Sequence, residues 1–180
     1  MSLRSAILGF LELEPTTGYT LLQRFEGSVG SFWTATQSQI YRELHTLEAS
    51  GHVQVRTVPG DGKPARKVYS LTAAGRTALK EWLAGPLEPV QLRDPMQLRL
   101  VFAAEVDPEL LDQRLRELDA TLEQTEREYQ ARLKMKEIFE LARSPRERAL
   151  WELSIENGLM WCEAQRRWVA KARRKLKRSE

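Results

Sequence analysis

Thr36, Gln37, Ser38, Gln39, Tyr41, Arg42 and His45 crowd into one short stretch, TQSQIYRELH, and each carries a group that donates or accepts hydrogen bonds. Side chains of these types can recognise a nucleic acid. Arg pairs bidentately with guanine and Gln with adenine, while Ser, Tyr and a helix N-terminus suit phosphate oxygens. The stretch reads as a helix, because Ile40, Leu44 and Leu47 recur at spacings of four and three, and Gly51 follows where a left-handed terminal residue is wanted. With those three facing inward, a turn of about 100° per residue sends Ser38, Arg42 and His45 outward and puts Gln39, Tyr41 and Thr46 at the flanks. Taken alone, the same residues make an ordinary solvated helix face, so the neighbouring elements have to decide.

The remaining chemistry-bearing residues assemble no reaction. His45, His52 and Cys162 show no metal-ligand spacing, no glycine-rich loop cradles a phosphate, and no nucleophile elbow is present. Glu123, Glu126 and Glu128 alternate with Arg and Lys, as on a solvated helix face. The sequence therefore predicts a protein that is not an enzyme and that uses no cofactor or metal. Cys162, beside Trp161, reads as a small inert hydrophobe.

The elements around the polar helix supply its context. SLRSAILGFLEL places Leu3, Ile7, Phe10 and Leu11 on one helical face before Pro15 ends it, and Thr17 then caps a second helix carrying Leu21, Leu22 and Phe25. After Gly51 the period changes to two. HVQVRTV sets Val53 and Val55 against Gln54 and Arg56, and KVYSL sets Tyr69 and Leu71 against Val68 and Ser70. PGDGKPA, residues 59–65, is a turn between these strands, and Lys63, Arg66 and Lys67 give the hairpin a basic edge suited to a phosphate backbone or a minor groove. Thr72 caps a fourth helix whose Leu79, Trp82 and Leu83 are expected to pack back on the first three. Helix, helix, helix, hairpin, helix is the order of a winged helix-turn-helix, with the polar helix in the recognition position.

GPLEP, residues 85–89, stops that run, and the domain boundary is expected near 86–93. Beyond it Asp94, Asp107 and Ser144 each precede a proline, the pattern of an N-cap before a first helical residue, and Ser144 with Glu147 matches a capping box. The helices predicted are 95–105, 108–142 and 145–176. Leu115, Leu118, Leu122, Thr125 and Tyr129 follow a heptad, and Trp151, Gly158, Trp161 and Trp168 fall along another seam. Helices this long lack covering surface in so small a domain, so these residues are assigned to pairing with a second copy of the chain. The predicted fold is thus mainly α. An N-terminal winged helix-turn-helix with a two-stranded wing occupies residues 1–86, and a C-terminal helical dimerisation domain with long helices occupies 87–180.

Composition agrees with this outline. The net charge is +3 over 180 residues, and the pI is about 9.1, where a nucleic-acid footprint is worth seeking. Basic residues run from Arg166 to Arg178 without an acid, which complements a helix C-terminus and keeps a long helix soluble. No targeting segment or membrane-spanning run is found, and the single cysteine forms no internal bridge, so a cytoplasmic protein is expected.

The segment FWTATQSQIYRELHTLEASGHV, followed by RKVYSLTAAGRTAL, resembles the DNA-binding half of the PadR-type transcriptional regulators, named for control of phenolic acid decarboxylase. LGFLEL in the first helix, Gly18 with Tyr19, Phe32 with Trp33, Tyr41, Leu47 and Glu48 before Gly51, and Tyr69, Leu71, Thr72 and Gly75 are the supporting marks. The second half is similar in layout to longer members, whose C-terminal helices form the homodimer and can house an effector site. The resemblance implies a bacterial or archaeal cytoplasmic regulator, most often a repressor. Its implied partners are double-stranded operator DNA, a second copy of itself, and a small hydrophobic or aromatic effector. Gln37, Ser38 and Gln39 replace the family's usual small turn residues before Tyr41, which locates this chain's own operator preference there. Two other classes fit the residues themselves: a winged-helix adaptor whose basic wing touches an acidic protein, and a ligand-carrying helical dimer with incidental DNA affinity.

Overall fold

The computed structural model describes residues 2–30, 33–59, 65–87, 94–140 and 142–178. The chain divides into two compact units, Met1–Val90 and Gln91–Glu180.

In the first unit α1 spans Ser2–Leu13, α2 Gly18–Ser28, α3 Gln37–Ala49 and α4 Ala73–Ala84. Each of the last three starts on a threonine whose hydroxyl oxygen accepts an amide of the first turn: Thr17 from Thr20, Thr36 from Gln39 and Thr72 from Gly75. That satisfies a donor which would otherwise have no intrahelical partner. α3 ends as its sequence requires, with Gly51 at φ 71°. β2 (Val53–Val58) and β3 (Arg66–Leu71) form the antiparallel hairpin, with Val53 opposite Leu71 and Val58 opposite Arg66. A third strand, β1 (Thr16–Thr17), pairs with β3 through Thr16–Tyr69 and Thr17–Val68, so the sheet order is β1-β3-β2 rather than two strands. Two residues are too few to show an alternating pattern, which is why β1 left no mark in the sequence.

Ile7, Leu8, Leu11, Leu21, Phe25, Ile40, Leu44, Leu47, Val53, Tyr69 and Leu79 form one continuous core. At roughly 1.5–3 kcal/mol for each large apolar side chain, this burial anchors α3 by its inner face and leaves the outer face free. Of the α4 residues expected to pack inward only Leu79 does so; Trp82 and Leu83 are exposed near the end of the helix.

In the second unit α5 covers Pro95–Val101 and gives way to a single 3₁₀ turn at Ala103–Glu105, so it is shorter than predicted. α6 runs over Pro108–Lys134, stops at Met135 and is followed by a short α7 at Lys136–Glu140, so the expected helix to 142 is interrupted. α8 is Pro145–Leu176. The proline-first starts hold: Asp94 accepts from Met96 and Gln97, Asp107 from Leu110, and Ser144 from Glu147. The capping box at Ser144 is displaced by one residue, because the Glu147 carboxylate takes the backbone N–H of Arg143 at 2.7 Å.

α6 and α8 pair antiparallel. Asp112 meets Arg173, Asp119 and Glu126 meet Arg166, and Tyr129 meets Gly158, so partners fall on one helix as they climb on the other. Leu115, Leu122 and Val169 make the core of this pair, with Leu118, Trp168 and Ala172 packed against it. A Cβ at Gly158 would lie 2.4 Å from the Tyr129 ring, so the glycine is a close approach within one chain. The heptad residues Leu115, Leu118, Leu122 and Tyr129, with Gly158 and Trp168, thus meet along the chain's own α6–α8 seam, where Leu118, Gly158 and Trp168 stay half-buried. A heptad announces a seam but does not say which chain supplies its other side.

Candidate nucleic-acid interface

The first turn of α3 is fixed by a reciprocal cap. The Thr36 backbone N–H donates to Gln39 Oε1 at 2.8 Å, and the Gln39 N–H donates to Thr36 Oγ1 at 3.3 Å. The Thr36 hydroxyl also donates to Gln39 Oε1 at 3.1 Å, and it lies 3.0 Å from the Ser38 hydroxyl. Both acceptor positions of the Gln39 carbonyl are thus in use, leaving only its Nε2 to donate. Bidentate pairing with adenine needs the carbonyl and the amide together, so Gln39 cannot make that pair while the cap stands. The pattern T-x-x-Q was the available signal for this role.

The exposed polar side chains on α3 are Thr36, Gln37, Ser38, Gln39, Arg42, His45 and Thr46. Thr46 donates its hydroxyl to the Arg42 carbonyl, and His45 Nδ1 stands 4.0 Å from Glu48. Gln37 and Arg42 make no side-chain hydrogen bond or ion pair among the described residues. Tyr41 is half-buried, its ring laid across the start of α2. A Cβ at Gly18 would come within 2.7 Å of Tyr41 Cε1, so only glycine admits the ring there. Arg66 and Lys67 open β3 as exposed cations. Lys63, the third basic residue of the predicted wing, lies outside the described residues.

The basic run on α8 is used differently from the wing. Arg166 donates to Asp119 at 3.1 Å and to Glu126 at 2.8 Å, and Arg173 grips Asp112 through two bonds of 2.6 and 3.2 Å. These hydrogen bonds raise both guanidinium pKa values, Arg166 through Glu126 first and Arg173 through Asp112. Arg166 and Arg173 are committed to α6. Cys162 is buried between these helices, and burial above all pushes its thiol pKa up, which makes it a poor nucleophile.

Of the tryptophans placed on a seam, Trp151 is half-buried and Trp168 packs on the α6–α8 core, whereas Trp161 is 54% exposed. Beside it runs a stripe missed in the sequence. Leu150, Leu153 and Met160 are 57%, 58% and 68% exposed and, with Asn157 and Ala164, recur at alternating steps of three and four. Among the described residues no helix is long and apolar enough to cross a membrane.

Comparison with known proteins gives matches to both halves. A family model described as Transcriptional regulator PadR-like family matches residues 7–81, and one described as Virulence activator alpha C-term matches residues 92–177. The chain is 44% identical over 91 residues to "Probable transcriptional regulator Rv1176c" of Mycobacterium tuberculosis, covering 51% of this chain and 48% of that one. It is 36% identical over 102 residues to "Negative transcriptional regulator PadR" of Bacillus subtilis, covering 56% of each. The matches thus span about half the length of these curated relatives. Bacillus subtilis PadR in complex with operator DNA superposes with a TM-score of 0.81 at 24% identity, over 98% of this chain and 99% of that one. The same protein in complex with p-coumaric acid gives 0.76 at 23% identity, over 98% and 99%. The Vibrio cholerae virulence activator AphA gives 0.72 at 28% identity, over 99% of both chains.

Proposed function

We propose that the chain, whose residues 7–81 match the PadR-like transcriptional regulator family, is a cytoplasmic repressor that binds an inverted-repeat operator as a homodimer. Residues 1–86 form the DNA-binding part and 87–180 the dimerising part. The observation that carries this reading is α3. Its apolar side is spent on the core while Gln37 and Arg42 project from a capped, preformed helix with no side-chain partner among the described residues. Base reading falls to Gln37, Ser38 and Arg42, with His45 further along the groove, and Gln39 with Thr36 holds the helix start. Tyr41, Arg66, Lys67 and, by sequence, Lys63 hold phosphates.

The homodimer is supported by the exposed stripe of Leu150, Leu153, Met160 and Trp161, an apolar patch that a soluble chain is expected to cover. Two-fold symmetry would then set the half-sites about 34 Å, or one helical turn, apart. Repression follows the Bacillus subtilis relative named as a negative regulator. A small aromatic effector is proposed from the p-coumaric acid complex of the same protein. Such a ligand releases DNA only if it prefers the incompetent conformation.

Selection of bound duplexes from a random pool tests the class. Enrichment of a palindrome supports the operator reading, and absence of any retention on duplex DNA at low salt turns the case toward an adaptor. Arg42→Ala should cost about 1–3 kcal/mol and relax preference at one base pair, whereas Lys67→Ala should weaken all sequences alike and flatten the salt slope. Equal losses on operator and random DNA for Arg42→Ala would remove it from the base-reading set. For the effector, aromatic acids that quench tryptophan emission should also lower operator affinity.

A further inference from the structure

Between the start of α2 and the first half of β3 lies a cleft of about 450 Å³. Its wall combines the first turn of α2, Tyr41 from α3, and Arg66, Lys67 and Tyr69 from β3. Among the described residues no carboxylate lines it and neither cation is paired. The positive end of the eleven-residue α2 opens on it, with Thr17 as the cap. Tyr19, at the same opening, has its phenolic oxygen engaged as acceptor by Gln23 Nε2 at 3.0 Å, which leaves its proton free to be donated outward.

Tyr69 is the second, independent sign. Its side chain is core, 2% exposed, yet its hydroxyl makes no hydrogen bond among the described residues. No described side-chain oxygen is both fully buried and without a partner, so the phenolic oxygen must be the tip that reaches the surface, and the surface it lines is this cleft. A buried tyrosine normally finds a partner for its hydroxyl, and this one is held ready for a partner from outside. Burial, then Glu48 and Tyr41, raise its pKa, so it stays a proton donor at neutral pH. Tyr41 stands beside it, drawn to the helix start by Gly18, where a Cβ would lie 3.0 Å from the Tyr41 hydroxyl.

Hydroxyl donors, two cations and a helix N-terminus around a cleft whose described wall holds no carboxylate suit a phosphoryl oxyanion. We propose that the cleft receives one phosphodiester of the operator strand, held by the Tyr41 and Tyr69 hydroxyls with Arg66 and Lys67, and that this contact sets the register of α3 on the bases. The inference rests on the operator-binding reading and adds to it a discrete neutral-donor contact. Tyr41 and Arg42 are adjacent on α3, so a phosphate fixed by one positions the guanidinium of the other.

A set of operator duplexes, each with a single neutral methylphosphonate linkage, provides the test. One linkage per half-site should cost the wild-type chain about tenfold, the scale of a hydrogen bond to a charged group. Tyr69→Phe, which keeps the ring and the packing, should lose a similar factor on unmodified operator and almost nothing more at that one linkage. Its sensitivity at other linkages should be unchanged, while its preference at the base pair read by Arg42 should relax. Tyr41→Phe should behave in the same way. Tyr69→Phe variants that fold normally by thermal melting and bind the whole series like wild type overturn the proposal, as do penalties that simply add. Tight binding of inorganic phosphate without DNA, abolished by Tyr69→Phe, would give the site to a free phosphorylated ligand instead. A wild-type chain with no sequence preference overturns the operator reading, and that outcome is distinct from one in which preference persists and the cleft is indifferent.

Discussion

The first unit closes on itself and the second does not. Residues from α1, α2, α3, α4 and the sheet meet in one core of Ile7, Leu21, Phe25, Ile40, Leu44, Leu47, Tyr69 and Leu79, all buried. The α6–α8 pair has Leu115, Leu122 and Val169 as its central cluster, with Tyr129 and Cys162 also buried, and leaves Leu150, Leu153, Met160 and Trp161 facing out. The first unit anchors α3 in its core, with Trp82 and Leu83 left exposed on α4, and so presents a polar face on a fixed helix. The other holds its helices in register by ion pairs and keeps an apolar stripe in reserve. Under the proposed function the difference separates two duties, reading and pairing, and it can be broken by variants on either side.

The largest effect is expected from Leu44→Ala, about 2–5 kcal/mol, because it opens a cavity where α3 is anchored. Hydrogen exchange should accelerate across α1 to α4 and stay slow in α6 and α8; equal acceleration everywhere would mean the two units share one cooperative transition. Next, Leu153→Glu with Met160→Glu should weaken self-association by roughly 3 kcal/mol or more, the apolar burial of two such side chains. Sedimentation should then report monomers at concentrations where wild type is dimeric, while protection of α3 is unchanged. A variant that sediments like wild type would remove this stripe from the interface.

Gly158→Ala comes third. It drives a methyl into the Tyr129 ring and should cost about 1–3 kcal/mol, confined to the second unit. Combining it with Tyr129→Leu should cost less than the sum, and strict additivity would mean the two do not touch. Gln39→Ala should then loosen the start of α3 by about 1 kcal/mol and weaken all operators alike. A base-pair-specific loss would instead make Gln39 a reader. Smallest is Asp112→Asn. Its hydrogen bond from Arg173, opposed in part by desolvation and reinforced by the charges of Arg173, Arg116 and Lys177, holds this carboxyl below its usual range. Its stabilisation is therefore present above the ordinary carboxylate value, near about 4, and is lost as pH falls through the lowered value in the folded chain. The variant should melt below wild type at neutral pH, with the gap closing on acidification; a gap independent of pH would point to packing instead.

Local signals carried much of the fold. The three-residue stripe of α3, the threonine caps, the alternation of β2 and β3 and the Asp-Pro and Ser-Pro helix starts each act over a few residues, and each is visible in the chain. The second unit resisted because its decisive contacts are distant. Arg166 finds Asp119 and Glu126 across the turn between helices, and the stop at Met135 carries neither Gly nor Pro to announce it. Leu115 and Tyr129 showed that a seam exists without showing whose it is. At the interface the residue types of α3 were legible, but one carboxamide cannot serve a cap and a base edge at once, and only the geometry of Thr36 and Gln39 shows which use is taken. Tyr69 was legible as core, and its hydroxyl became meaningful only beside Tyr41, Arg66 and Lys67.

The Thr36–Gln39 cap also has a consequence for how this chain could change its target. Because the helix start is secured by those two residues, the side chains at Gln37 and Arg42 carry no share of the folding task. They are interchangeable tips on a fixed shank. A library varied at those two positions alone should yield folded proteins almost throughout, with altered operators among them, so preference can drift or be engineered without a stability toll.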